Sequence, residues 1–408
     1  MGRIVIAGAG VAGLGTALYA GRAGHEVVIV ERDDTPLPPT PAEAFSWDRR
    51  GAPQVRHSHA FLARLHNQLR DDHPDVLAAL LDAGATEMDF IAMLPDGMDR
   101  TPMLGDEDLV ALACRRTTFE WVLRHAVLDT GAATLHHGAS VDSLLVASRD
   151  DRPRVTGVRL SDGENLHADT VVLAGGRRMD VPALYGACGV ELEEKTEDTG
   201  IVYLSRFYRL LDAHDYPPQL GPIGGDLGYL KFGVFPGDDR TFSITLATNT
   251  GDKELRRLLM DPDAFSAAAS CLPPTAAHVD GRAEPITGVE VMGGLINRRR
   301  GFLVDGHPLI TGVHAVGDAH TATNPLYGRG CSLAMVQAAL LCDALAEPDP
   351  LASSVAYEQA CVREILPWHA AAVAQDRMNK ANSGGNSTAD EGPSDDRAVD
   401  DRAVDDRA

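Results

Sequence analysis

The sequence predicts an α/β protein: a Rossmann-like dinucleotide-binding domain that carries an inserted antiparallel sheet. Three observations predict it. An apolar run, a glycine-rich turn, a small-residue helix and a second apolar run stand in order over residues 3–31. A second turn, Gly317-Asp318, leads through a Pro/Gly loop into another helical stretch. Between them, segments at 200–211, 228–236 and 241–247 alternate with a period near two, the pattern of half-buried strands.

At 408 residues the chain is long enough for two interleaved domains with ample core. Its 44% apolar and 24% charged content is that of a globular protein, and excludes collagen-like, wholly disordered and disulfide-scaffold classes. The formal charge of −22 repels phosphate backbones, which argues against a general nucleic-acid binder. Six cysteines form no CxxC pair and no zinc-spaced cluster, so no metal site is expected. Reduced thiols in a chain of this size point to a cytoplasmic protein. Ile4–Gly21 is an uncharged run that mimics a membrane span, but its five glycines argue against one.

In the first segment, Arg3-Ile-Val-Ile-Ala7 reads as a buried parallel strand. Gly8-Ala-Gly10-Val-Ala-Gly13 then opens a helix, and Glu26-Val-Val-Ile-Val30 ends at Glu31. Gly8 serves the tight turn, Gly10 lets the backbone approach a pyrophosphate, and Gly13 lets helix and strand pack closely. The helix N-terminus, at Val11 and Ala12, offers free N–H groups and a positive dipole end to phosphates. Glu31 stands where a carboxylate accepts hydrogen bonds from ribose hydroxyls, with Arg32 beside it. An acid there disfavours a 2′-phosphate, so the expected ligand is FAD or NAD and not NADP.

The second turn belongs to Gly312-Val-His-Ala-Val-Gly-Asp318, followed by Asn324-Pro-Leu-Tyr-Gly-Arg-Gly-Cys-Ser332 and a helix to about Leu345. With these two motifs in this order, the sequence resembles the single-chain flavoprotein monooxygenases of the para-hydroxybenzoate hydroxylase fold. The resemblance covers most of residues 1–345. It implies FAD, with the Rossmann-like FAD-binding domain holding ADP on the first fingerprint. Asp318, next to Gly317, is then placed to accept from the ribityl hydroxyls. Pro325, Gly328, Arg329 and Gly330 lie at the flavin pyrimidine edge, where the helix dipole favours a reduced, anionic ring.

Further segments carry the resemblance. Arg116-Thr-Thr-Phe-Glu-Trp-Val-Leu123 looks like the family's Arg-x-x-Leu helix start, which implies that Arg116 lies beside FAD. Val141 looks like the strand residue whose backbone meets adenine. Val171-Val-Leu-Ala-Gly-Gly-Arg177 departs from the family's Asp-Ala-(Ser/Asp)-Gly-Arg, with Leu173 and Gly175 at the changed positions. The reductant is therefore either NAD(P)H bound directly or a separate partner flavin reductase. Gln54-Val-Arg-His-Ser-His-Ala-Phe-Leu62 is similar to a Gln-x-x-His-x-His stretch in a subset from bacterial natural-product pathways, olefin epoxidases of polyether antibiotics included. Arg56 in it is a further candidate for FAD contact. The halogenase motif Trp-x-Trp-x-Ile-Pro is absent.

These readings divide the chain. Residues 1–180 form the first part of the FAD-binding domain, with a helical excursion at 51–110. Residues 181–295 form the substrate domain, 296–345 complete the FAD-binding domain, and 346–375 make a C-terminal helix. From 376 to 408 the polar composition, with three Asp-Asp-Arg-Ala copies, predicts a disordered tail. Arg298-Arg-Arg300 reads as a solvated turn.

His57 and His59 are the candidate catalytic residues, because neutral imidazole moves protons at pH 7. One face of the strand at 201–211 should roof a substrate cavity. Arg206, Tyr208 and, from a neighbouring strand, Phe235 are the candidate substrate contacts, with Leu204, Leu230 and Phe232 completing an apolar roof. The expected function is insertion of one oxygen atom from O2, by hydroxylation or epoxidation through a flavin C4a-hydroperoxide, into a small and mostly apolar natural-product intermediate. An FAD-dependent reductase without oxygen insertion, or a non-catalytic flavin-binding protein, is the alternative.

Overall fold

The computed structural model describes residues 1–94, 97–149, 152–217 and 223–383. The first apolar run is strand β1 (Arg3–Ala7), followed by helix α1 (Val11–Arg22) and strand β2 (Glu26–Glu31). Helices α2 (Ala63–Asp72) and α3 (Pro74–Asp82) make the excursion, and α4 (Arg116–Asp129) returns the chain to strands β3 (Thr134–His137) and β4 (Thr170–Leu173). The roof comes next: β5 (Ile201–Leu210), β6 (Leu230–Pro236) and β7 (Thr241–Asn249), backed by α5 (Pro262–Cys271). Strands β8 (Ile296–Gly301) and β9 (Val313–Ala315) lead to helices α6 (Gly330–Leu345), α7 (Pro350–Glu364) and α8 (Leu366–Ser383).

A five-stranded parallel sheet has the spatial order β9-β4-β1-β2-β3. Its central strands are apolar on both faces because both faces are covered. Ile4, Ile6, Leu14 and Leu18 join Met335 and Leu341 of α6 in one core, while Val5, Val171 and Leu173 pack on the other side with Val313 and Ala315. No helix among the described residues is long and apolar enough to cross a membrane.

The second sheet is antiparallel, with β7 between β6 and β5: Tyr208 faces Phe242 and Phe235 faces Ser243 across the ladder. Its outer face is not open to solvent. Leu204, Tyr208, Leu230, Phe242 and Ile244 pack there against Leu259, Phe265 and Ala269 of the covering helices. Strand β8 pairs with Glu193–Asp198, so Arg298-Arg-Arg300 is strand and not a solvated turn. Arg298 and Arg300 are buried; Arg298 donates to the carbonyls of Arg177 and Asp318, and Arg300 donates to Glu194 at 2.7 Å.

The expected boundary at residue 376 is also corrected. Helix α8 runs through it, and the Asp376 side chain is buried. Arg377 pairs with Glu197 at 2.7 Å, and Lys380 donates to the Asp198 carbonyl. Helix propensity and docking override a polar composition here. Residues 384–408 of the expected tail lie outside the described residues.

Candidate functional site

A cleft of about 1150 Å³ runs between the parallel sheet and the antiparallel roof. At one end is the β1–α1 turn. Gly8 has φ +113, and a Cβ there would lie 2.7 Å from the Ala174 carbonyl oxygen. A Cβ on Gly13 would lie 1.9 Å from the Gly8 carbonyl oxygen, so helix and turn touch backbone to backbone. Around Gly10 the space is open, since a Cβ there meets nothing within 4 Å. The α1 N-terminus has no side-chain cap, which leaves its N–H groups for a ligand.

Gly8, Gly10, Val11, Ala12, Glu31, Arg32 and Val141 line this half of the cleft. Gly13 does not line it; its role is the close packing just described. Glu31 is buried and accepts from the Ala9 N–H at 2.9 Å and the Asp33 N–H at 3.0 Å. Arg49 also lines the cleft, which the sequence did not signal. It is buried, its guanidinium lies over the Trp47 ring, and Glu120 is 3.2 Å away. Its Nη1 lies 3.5 Å from Asp33 Oδ2, its Nη2 donates to the Ala9 carbonyl at 3.2 Å, and its Nε has no hydrogen-bond partner among the described residues. Glu31, Asp33 and Glu120 surround the guanidinium and offset the cost of burying its charge. Arg56, the arginine picked from the sequence, is largely exposed, lies 3.9 Å from Glu290 and does not line the cleft.

Further along lie Arg116, Gly317, Asp318, Pro325, Gly328 and Gly330. Arg116 donates to Glu120 Oε1 at 2.7 and 2.9 Å and to Cys331 Sγ at 2.8 Å. Asp318 pairs with Arg177 at 3.0 Å, and Arg177 reaches on to the carbonyls of Ile296 and Thr323. The departed Val171–Arg177 segment therefore still faces the cleft through Gly175, Gly176 and Arg177, while Leu173 is core. Arg329 turns away; its guanidinium lies over the rings of Tyr327 and Trp368.

The roof half holds both candidate histidines. His57 Nδ1 is 3.2 Å from Ser205 Oγ, and His59 Nδ1 is 2.9 Å from the His57 carbonyl oxygen. Burial pushes His57 down to about 4. Burial, with Arg116 adding to it, pushes His59 down to about 3. Both imidazoles are neutral at pH 7. From Ser205 a chain of hydroxyls continues to Thr245 at 2.8 Å, Ser58 at 2.6 Å and Ser243 at 2.7 Å.

Phe235 and Phe232 line the roof, with Met292. Arg206, Tyr208, Leu204 and Leu230 do not; the expected phase of the strands is corrected. Arg206 donates to the carbonyls of Thr287 and Pro262 and to Ser266, on the far face. Tyr208 stacks on Phe242 in the outer core. Tyr203 and Ser205, on the opposite face of the same strand, line the cleft instead.

No protein-family model matches the chain, and no curated protein does. Solved structures do. PqsL, a probable FAD-dependent monooxygenase from Pseudomonas aeruginosa, is 18% identical with a TM-score of 0.65, over 93% of this chain and 96% of that one. The myxobacterial chondrochloren halogenase CndH is 18% identical with a TM-score of 0.62, over 88% and 78%. The 2-methyl-3-hydroxypyridine-5-carboxylic acid oxygenase is 16% identical with a TM-score of 0.61, over 94% and 93%. The fold is that of the FAD-dependent monooxygenases and halogenases. At these identities the likeness fixes architecture, and function is argued from the site.

Proposed function

We propose that this protein is an FAD-dependent monooxygenase that inserts one oxygen atom from O2 into a small, mostly apolar molecule of natural-product type, by hydroxylation or epoxidation. The observation that carries the reading is one continuous cleft. It joins an open glycine cradle at the uncapped N-terminus of α1 to a roof with two neutral histidines.

The residues present fit FAD. The Gly8–Gly13 turn, the α1 N-terminus and Arg49 would hold the pyrophosphate. Glu31 and Arg32 would take the ribose, Val141 the adenine, and Asp318 the ribityl chain. Pro325, Gly328 and the N-terminus of α6 would meet the ring edge. When bound and reduced, FAD supplies the electrons that activate O2.

The chain's own residues do the rest. Phe232, Phe235 and Met292 exclude water from the roof and hold an apolar substrate. His57, neutral and tied through Nδ1 to Ser205, presents Nε2 as the nitrogen that can accept a proton from a molecule in the cleft. NAD(P)H bound directly, or a separate flavin reductase, is the source of the electrons.

Mass spectrometry of product formed under 18O-labelled O2 tests the reading. One labelled atom per product is expected. Unlabelled product made at full rate without oxygen would replace it with an FAD-dependent reductase.

A further inference from the structure

The C-terminal helix reaches into the cleft wall at one point. Asp376 of α8 is 1% exposed, and its carboxylate accepts three hydrogen bonds. They come from Asn297 Nδ2 at 2.6 Å, Asn324 Nδ2 at 2.8 Å and Tyr327 Oη at 2.6 Å. All three donors are neutral. A buried carboxylate is costly to desolvate, and only donors set firmly around it offset that cost.

Two of those donors belong to the loop Asn324–Gly328, whose Pro325, Leu326, Tyr327 and Gly328 line the cleft. Asn324 is fixed on every polar atom of its side chain. Its Nδ2 donates to Asp376, while its Oδ1 accepts from Tyr203 Oη at 2.5 Å and from the Leu326 N–H at 3.0 Å. Its backbone N–H donates to Asn297 Oδ1 at 2.8 Å, and Asn297 donates in turn to Asp376. Tyr203 stands on β5 and itself lines the cleft. The carboxylate is thus the hub from which the C-terminal helix holds both the loop at the cofactor side and the strand at the substrate side.

We propose that Asp376 is a positioning residue: through Asn324 and Tyr327 it sets the loop that meets the flavin ring edge, and through Tyr203 it ties that loop to the substrate roof. The inference rests on the FAD reading above. An amide cannot replace the carboxylate, because its NH2 group would face donors where an oxygen now accepts.

The test uses the full chain. Asp376→Asn, Tyr327→Phe and the control Arg377→Ala are purified, and FAD affinity, bound-flavin absorbance and flavin reduction potential are measured beside the melting temperature of each apoprotein. Asp376→Asn is expected to weaken FAD binding by about tenfold and to shift the bound-flavin spectrum and potential, as loss of charged hydrogen bonds predicts. Tyr327→Phe should shift the spectrum in the same direction by less, and Arg377→Ala should match wild type. If Asp376→Asn does not fold, Tyr327→Phe decides: a shifted spectrum at unchanged melting temperature supports the proposal, and an unshifted one overturns it. A wild type that binds FAD beside an Asp376→Asn protein of identical affinity, spectrum and potential overturns this inference alone. A wild type that takes up no FAD overturns the proposed function and this inference with it.

Discussion

His57 Nδ1 lies 3.2 Å from Ser205 Oγ, joining residues 148 positions apart in the chain. One comes from the excursion after β2 and the other from the roof strand β5. The contact fixes which imidazole nitrogen faces the cleft, and the hydroxyls of Thr245 and Ser58 hold Ser205 in turn.

His57→Ala is therefore expected to lower turnover by about a hundredfold, the lower range for a positioned proton acceptor. Ser205→Ala should lower it by less, because the imidazole remains but loses its anchor. Both variants should keep FAD. Turnover and hydrogen peroxide released per substrate consumed are the measurements. Unchanged values in both would remove His57 from the chemistry.

The same histidines make stability depend on pH. Their folded values, about 4 for His57 and about 3 for His59, lie below the ordinary 6.5. As pH falls below 6.5 the unfolded chain takes up protons that the folded one refuses. Their contribution is complete above pH 6.5 and is lost as pH falls through the folded values, on the order of 1–2 kcal/mol per histidine by pH 5. Urea unfolding at pH 7.5 and pH 5 measures this. The doubly substituted His57→Ala, His59→Ala protein should lose less stability between the two than wild type does.

Cofactor retention should respond at both ends of the cleft. Glu31→Ala, Arg49→Ala and Asp318→Ala are each expected to weaken FAD binding by about 1.5–3 kcal/mol, the scale of a charged hydrogen bond. Arg56→Ala and Arg329→Ala, whose side chains point elsewhere, should have little effect. Fluorescence titration of the apoproteins distinguishes the two groups; equal losses in both would contradict the cleft geometry.

Two truncations locate the end of the folded body. Ending the chain after Gln375 removes the buried Asp376 and its three hydrogen bonds, and should cost several kcal/mol, about 1.5–3 per bond to a charged group, while the exposed contacts of Arg377 and Lys380 add little. Ending it after Ser383 should leave the melting temperature within a few degrees of wild type. A Gln375 truncation as stable as the full chain would show that the second half of α8 is dispensable.

Much of the half of the cleft around the β1–α1 turn was legible in the sequence because backbone demands are written in residue type. Gly8 must tolerate φ +113, which few other residues do, and Gly13 must carry no Cβ, which no other residue does. Arg49 was not legible: one arginine among many has no pattern, and only folding brings it over Trp47 and under the cleft. The roof strands were recognised, but their phase was not. Alternation says that two faces differ, not which of them is inward. Here the apolar face, with Leu204 and Tyr208, is claimed by the covering helices, so the cleft receives Tyr203, Ser205 and Thr245. Asp376 was hidden by its neighbours. A polar stretch reads as solvated, and nothing in the order of residues announces that Asn297, Asn324 and Tyr327 converge on one carboxylate.

The division of the cleft between two sheets has a consequence for engineering. The groups proposed to hold the cofactor come from the N-terminal βαβ unit, from Arg49 and Val141, and from the segment 317–330. Those roofing the other half, Phe232, Phe235 and Met292, come from a separate stretch of chain. Substitutions at Phe232 and Phe235, which stand on β6 and take no part in the Tyr203–Asn324–Asp376 contacts, should therefore reshape the roof while dinucleotide recognition is kept. Libraries confined to these positions should stay yellow while their product profiles diverge.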